Sequence, residues 1–185
     1  GVVNVDFSDK DGSQTLEFDK LIVAVGRRPV TDGLFADDAG LQLDERGCIV
    51  VDDECRTRVK GVDAVGDCVR GPMLAHKGSE EGVMVADLMA GEIAEMNYDV
   101  IPSVLYTNPE IAWTGKTEAE VKASGRDYKT GSFPFMASGR AKAMEQTAGM
   151  VKIISSTDDD EILGVHIVGP MAGELISEAV LALEF

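Results

Sequence analysis

Hydrophobic positions change period along this chain, and each change marks an element. Residues 1–7 alternate loosely, with Val3, Val5 and Phe7 on one side. An Asp- and Gly-rich turn covers Asp9–Ser13, and Thr15–Phe18 resumes the extended pattern. A period of two on either side of a turn predicts a β-hairpin. Leu21–Val25 is a continuous apolar run stopped by Gly26-Arg27-Arg28-Pro29, the pattern of a strand buried on both faces. Val30–Asp44 reads as loop, with one short helical candidate around Leu34–Ala39. Cys48–Asp52 is extended, and Thr57–Lys60 leads to a second apolar run, Val62–Val65, interrupted by Asp63 and ended by Gly66-Asp67. Pairing of these segments predicts a small sheet around Asp67.

After Gly71-Pro72 the period becomes three and four. Gly78, Gly82, Val85, Ala86, Met89, Ala90 and Ile93 fall on one face, which predicts a helix. Pro72 suits its first turn, where a missing N–H costs nothing. Gly78 and Gly82 each cost about 1 kcal/mol of helix propensity, so close packing against a sheet or cofactor is expected there. A boundary is expected at Asn97–Pro102. Beyond it, Ser103–Thr107 and Ile111–Thr114 read as short strands around Asn108-Pro109-Glu110. Thr117-Glu118-Ala119-Glu120 is a capping box opening a helix that ends near Gly125. Tyr128–Phe135, Gly149–Ser155 and Ile162–Val168 read as strands, the last two joined by the acidic turn Thr157–Glu161. Gly173–Leu183 reads as a helix with Leu175, Ile176, Ala179, Val180 and Leu183 on one face. Hairpins followed by a helix predict an α+β domain with an antiparallel sheet.

Composition narrows the function classes. The 185 residues are 44% hydrophobic, enough for a core, and carry a formal net charge of −16. That balance argues against nucleic acid and anionic membrane as partners, because both need Lys and Arg. No apolar run reaches transmembrane length. Cys48, Cys55 and Cys68 are odd in number and irregular in spacing, which is no disulfide framework, and with two His residues there is no metal-ligand cluster. Asp52, Asp53 and Glu54 beside Cys55 disfavour its thiolate. Ordinary reduced thiols are expected.

The candidate chemistry gathers at Val62–Glu81. A strand, a turn with one carboxylate and a helix N-terminus form a ligand site of the kind found at strand ends in α/β sheets. The helix end adds free N–H groups and positive partial charge. Asp67 is the leading site residue, although an Asp after Gly also serves as a plain turn former. Gly26 is either a strand-ending turn or a point of close backbone approach to a ligand.

These segments also carry a resemblance. Ala64-Val65-Gly66-Asp67 resembles the second FAD motif of the disulfide oxidoreductase flavoenzymes. Met73-Leu74-Ala75-His76-Lys77 with Glu80-Glu81-Gly82 resembles the dihydrolipoamide dehydrogenases within that family. Tyr106–Trp113, Phe133-Pro134-Phe135 and Val165–Gly169 sit in the family's order. The resemblance covers essentially the whole chain and implies a mixed fold, α/β and then α+β. Residues 1–29 would end the NAD-binding domain, 30–100 would be a central FAD-facing segment, and 101–185 would be an interface domain with an antiparallel sheet.

It further implies FAD and NAD as cofactors. Asp67 would accept hydrogen bonds from the ribityl chain. Met73, Leu74, Ala75 and His76 would face the flavin through their backbone, and Gly26 would approach the dinucleotide. No residue here would be catalytic: the family's redox disulfide would lie upstream of Gly1 and its acid–base His and Glu after the last helix, so the chain is expected to be a piece of a longer enzyme. His166 would be a strand residue. A homodimer serving lipoyl domains of 2-oxoacid dehydrogenase complexes is implied, in a bacterial cytoplasm or a mitochondrial matrix. A mercuric or glutathione reductase, or a non-catalytic dimerisation module, stands as the alternative.

Overall fold

A computed structural model describes residues 1–185. The chain divides into two compact units, Gly1–Val85 and Ala86–Phe185.

The first unit opens with the expected hairpin. β1 (Val3–Asp9) and β2 (Gly12–Phe18) pair antiparallel, with Asp9 opposite Gly12 across the turn. Leu21–Val25 departs from expectation. It forms no strand, and Ile22 and Val25 are 87% and 94% exposed. An apolar run of this kind is stable as a strand only between two neighbours, and no segment of these 185 residues pairs with it.

Leu34–Ala39 is likewise not a helix but two isolated turns, closed by Leu34 N–H to Thr31 O and Ala39 N–H to Ala36 O. The small sheet reduces to two single bridges, Leu43 with Ile49 and Arg56 with Asp63. Scattered backbone bonds, such as Val50 N–H to Gln42 O and Ala64 N–H to Cys55 O, are supplemented by carboxylates. Asp44 Oδ1 accepts from the amides of Arg46 and Cys48 at 2.9 and 2.8 Å, and Asp52 Oδ1 from those of Glu54 and Arg56 at 3.0 and 2.9 Å. Such local side-chain bonds compete with regular ladders. Val62–Val65 therefore runs into a single 3-10 turn, Gly66–Cys68, rather than ending a sheet strand.

α1 spans Ala75–Ala90, and the division between the units falls within it. It starts later than Pro72, with Gly78 N–H donating to Leu74 O as its first bond. Its buried residues are Lys77, Glu81, Met84 and Val85. The expected face is thus turned by about one residue, leaving Ala86, Met89 and Ala90 exposed, and Ile93 lies past the helix end at 101% exposure. A count of apolar positions cannot see that two opposite charges on one face neutralise each other and go inside together. Gly78 does pack closely, since a Cβ there would lie 3.0 Å from Gly66 Cα, whereas Gly82 has open space.

The second unit follows its pattern closely. β3 (Ser103–Leu105), β4 (Glu110–Gly115), β5 (Tyr128–Pro134), β6 (Met150–Ser156) and β7 (Ile162–Gly169) form an antiparallel sheet in the order β3-β4-β7-β6-β5. The capping box at Thr117 and Glu120 opens α2 (Glu118–Ser124), and Gly125 closes it in the left-handed conformation. α3 (Gly139–Ala143), a short turn of helix after β5, had no sequence signal strong enough to mark it. α4 (Ala172–Glu184) lays Ala172 and Ile176, with Ala179 and Leu183, onto Ala112, Val165 and Ile167. Leu175 stays largely exposed instead of joining that face. Val121 of α2 packs with Ile154 and Leu163 in a smaller cluster. His166 lies in β7 and its Nε2 meets Lys116 O at 3.2 Å.

Candidate functional site

The site is the junction of the 3-10 turn with the start of α1, inside the first unit. Gly66 takes a left-handed φ of +80°, which a residue without Cβ adopts at little cost. Its N–H donates to Glu81 Oε2 at 2.7 Å, and its carbonyl accepts from Lys77 Nζ at 2.8 Å. Lys77 Nζ also donates to Arg70 O at 2.9 Å and approaches both Glu81 oxygens, at 3.1 and 3.2 Å. Both side chains are 0% exposed. All three ammonium protons have acceptors, as a buried lysine requires.

Sequence reasoning missed this pair as a site feature. Lys and Glu one turn apart on a helix read as an exposed ion pair. The only signal was their place four residues apart directly after the turn.

Asp67 stands in the middle of the turn, exposed, and its carboxylate makes no hydrogen bond or ion pair within the chain. It is an acceptor-only group with its capacity unused. Met73 and Leu74 are half-buried just before α1, and Ala75 and His76 are exposed on its first turn. The amides of Ala75, His76 and Lys77 precede the first intrahelical bond, so this end carries donors and positive partial charge. Arg27 Nη1 donates to Met73 O at 2.9 Å. That bond ties the Gly26–Pro29 segment to the residues before α1. Gly26 itself has nothing within 4 Å of where a Cβ would be and a φ of +139°, so turn geometry and not contact accounts for its glycine within this chain. Beside these residues an open cleft of about 300 Å³ is lined by Arg27, Arg46, Arg70 and Met73, among others.

The cysteines take no part. All are free; Cys48 and Cys55 are buried. Cys68 Sγ meets Val65 O at 3.2 Å, and burial pushes its thiol above the ordinary value, so it is protonated at neutral pH. No group of three or more His, Cys, Asp and Glu side chains could hold a metal ion.

Residues 2–82 match the pyridine nucleotide-disulphide oxidoreductase family, and residues 101–185 match the dimerisation domain of pyridine nucleotide-disulphide oxidoreductases. The chain belongs to the pyridine nucleotide-disulphide oxidoreductases. Among curated members of the family, it is 58% identical over 184 residues to dihydrolipoyl dehydrogenase of Cupriavidus necator, covering 99% of this chain and 39% of that protein. It is 50% identical over 175 residues to mitochondrial dihydrolipoyl dehydrogenase of Pisum sativum, covering 94% of this chain and 35% of that protein. The chain therefore spans well under half the length of these relatives. Among solved structures it matches LpdA of Mycobacterium tuberculosis at 28% identity with a TM-score of 0.87, covering 97% of this chain and 39% of that one. The mixed α/β fold with an antiparallel sheet agrees with the family membership. No helix is long and apolar enough to cross a membrane.

Proposed function

We propose that these residues belong to a dihydrolipoyl dehydrogenase, which oxidises dihydrolipoamide through a redox-active disulfide and FAD and reduces NAD. The 58% identity to the Cupriavidus necator protein supports the substrate class. The observation that carries the site is the unengaged Asp67 carboxylate on a turn fastened to the start of α1. Its donor and acceptor set fits a flavin dinucleotide. A free carboxylate accepts from the hydroxyls of a ribityl chain. The amides of Ala75 and His76, with the backbone of Met73 and Leu74 leading into them, offer donors and positive partial charge to the electron-rich edge of a flavin ring. Bound there, FAD supplies the two-electron step between dithiol and nicotinamide. This chain's own part is to bind and orient, with Asp67 accepting, the head of α1 favouring negative charge, and Gly26 bordering the dinucleotide.

The division that goes with this reading is 1–29 as the end of an NAD-binding domain, 30–100 as the FAD-facing segment and 101–185 as the interface domain. The dimerisation-domain match at 101–185 supports a homodimer, and lipoyl domains of 2-oxoacid dehydrogenase complexes are its proposed clients. A bacterial cytoplasm is the proposed compartment, with the mitochondrial matrix second; the relatives include both bacterial and mitochondrial proteins.

The test is made on the complete polypeptide that carries these residues. Asp67→Ala is expected to weaken FAD binding by about 1–3 kcal/mol, the usual effect of deleting one partner of a buried polar contact. Unchanged flavin content after gel filtration overturns the cofactor assignment. The 185 residues alone should show no NAD-linked oxidation of dihydrolipoamide, because thiol and hydride chemistry needs reacting groups held at near-contact distance and Asp67 with the head of α1 offers only binding contacts.

A further inference from the structure

Resting on the reading of Asp67 as a flavin contact, we propose that Lys77 and Glu81 are positioning residues that pre-organise the Gly66-Asp67 turn for the cofactor. The geometry is specific to one residue. The Gly66 N–H belongs to the peptide plane before Gly66 and its carbonyl to the plane after it. Glu81 holds the first at 2.7 Å and Lys77 the second at 2.8 Å. Pinning both planes fixes φ and ψ of Gly66, the residue type that otherwise has the widest freedom. The second plane leads directly into Asp67. Lys77 also pins the exit of the turn at Arg70 O, 2.9 Å away. Asp67 is therefore held between two anchors that share one ammonium group, and its own carboxylate stays free for a ligand.

A pair kept only for packing would be replaceable. Apolar side chains of similar volume commonly replace a buried ion pair without loss of stability. They would fill the space but could not hold an N–H and a carbonyl. Stability and cofactor affinity should therefore separate in a charge-free variant, and this separation distinguishes positioning from support.

FAD is titrated into flavin-stripped complete polypeptide by fluorescence quenching, with thermal denaturation run in parallel. Lys77→Met/Glu81→Leu should keep its melting temperature close to the parent while FAD affinity falls by about tenfold or more. Adding the same two changes to Asp67→Ala should weaken binding by less than about twofold further, because the pair acts through Asp67. Full FAD affinity in the folded double variant overturns the proposal and leaves the Asp67 reading standing, as does a loss that is undiminished in the Asp67→Ala background. Unchanged affinity in Asp67→Ala itself overturns both. Should the double variant not fold, amide exchange of the parent decides. The Gly66 amide should be slow to exchange both with FAD bound and after stripping, and fast exchange in the stripped protein overturns pre-organisation.

Discussion

In Ala86–Phe185 backbone hydrogen bonds run through a five-stranded ladder, and helices cover an apolar face of it. In Gly1–Val85, outside one hairpin and the start of α1, scattered backbone bonds are joined by side chains that hold the backbone directly: Asp44 and Asp52 close loops, and Lys77 and Glu81 clamp a turn. The first arrangement spreads its stability over many equivalent contacts. The second concentrates the fixing of its local geometry in a few polar groups that depend on one another. A ladder tolerates the loss of one side chain by small readjustment. A buried charge that loses its partner has no water to turn to.

The sharpest way to break this contrast is Lys77→Met alone. It strands the Glu81 carboxylate, 0% exposed in the parent, and should destabilise the first unit by ~3–5 kcal/mol. Amide exchange should rise around Gly66 and Arg70 and stay unchanged in β4 and β7. Equal protection loss in both units would mean that the clamp is not local to the first.

Ile176→Ala probes the other region. Ile176 is 1% exposed on the inner face of α4, and its truncation should cost ~2–5 kcal/mol in a denaturant titration. The loss should appear in α4, β4 and β7 together, since they share one core. A change confined to α4 would show that the sheet does not depend on its helix cover.

The smallest effect concerns pH. Hydrogen bonds from Lys152 and then from Tyr128 hold the Glu118 carboxyl below its ordinary value of 4.5. A folded-state pKa below the unfolded one gives stability that is present above the unfolded value and lost as pH falls through the folded value. The Glu118 side chain is partly open to solvent, so the contribution is small. Its carboxyl carbon shift should titrate below 4.5 in the folded protein. Titration at the ordinary value would show that α2 is not tied to β6 through Lys152.

The second unit was legible because its signals are local. Gly149 and the acidic turn Thr157–Glu161 set off β6 and β7 within a few residues, and Thr117 with Glu120 encodes the start of α2 in four positions. The first unit was legible only at its hairpin and in α1. Leu21–Val25 carries the pattern of a buried strand, but apolarity alone supplies no neighbour to bond with. Val62–Val65 finds only a single bridge and the backbone bonds with Cys55 and Thr57, and it gives way to a turn stabilised by side chains from eleven and fifteen residues further on.

At the candidate site, the order Gly66-Asp67, Gly71-Pro72 and the helix of Ala75–Ala90 determined by itself that a carboxylate-bearing turn precedes a helix head. Chain order and backbone preference suffice for that. Which face of α1 turns inward, and that Lys77 and Glu81 are buried on it, was decided only by tertiary structure. An ion pair is polar to any sequence pattern, and it becomes an interior group only when the fold brings Gly66 and Arg70 close enough to satisfy every donor and acceptor it carries.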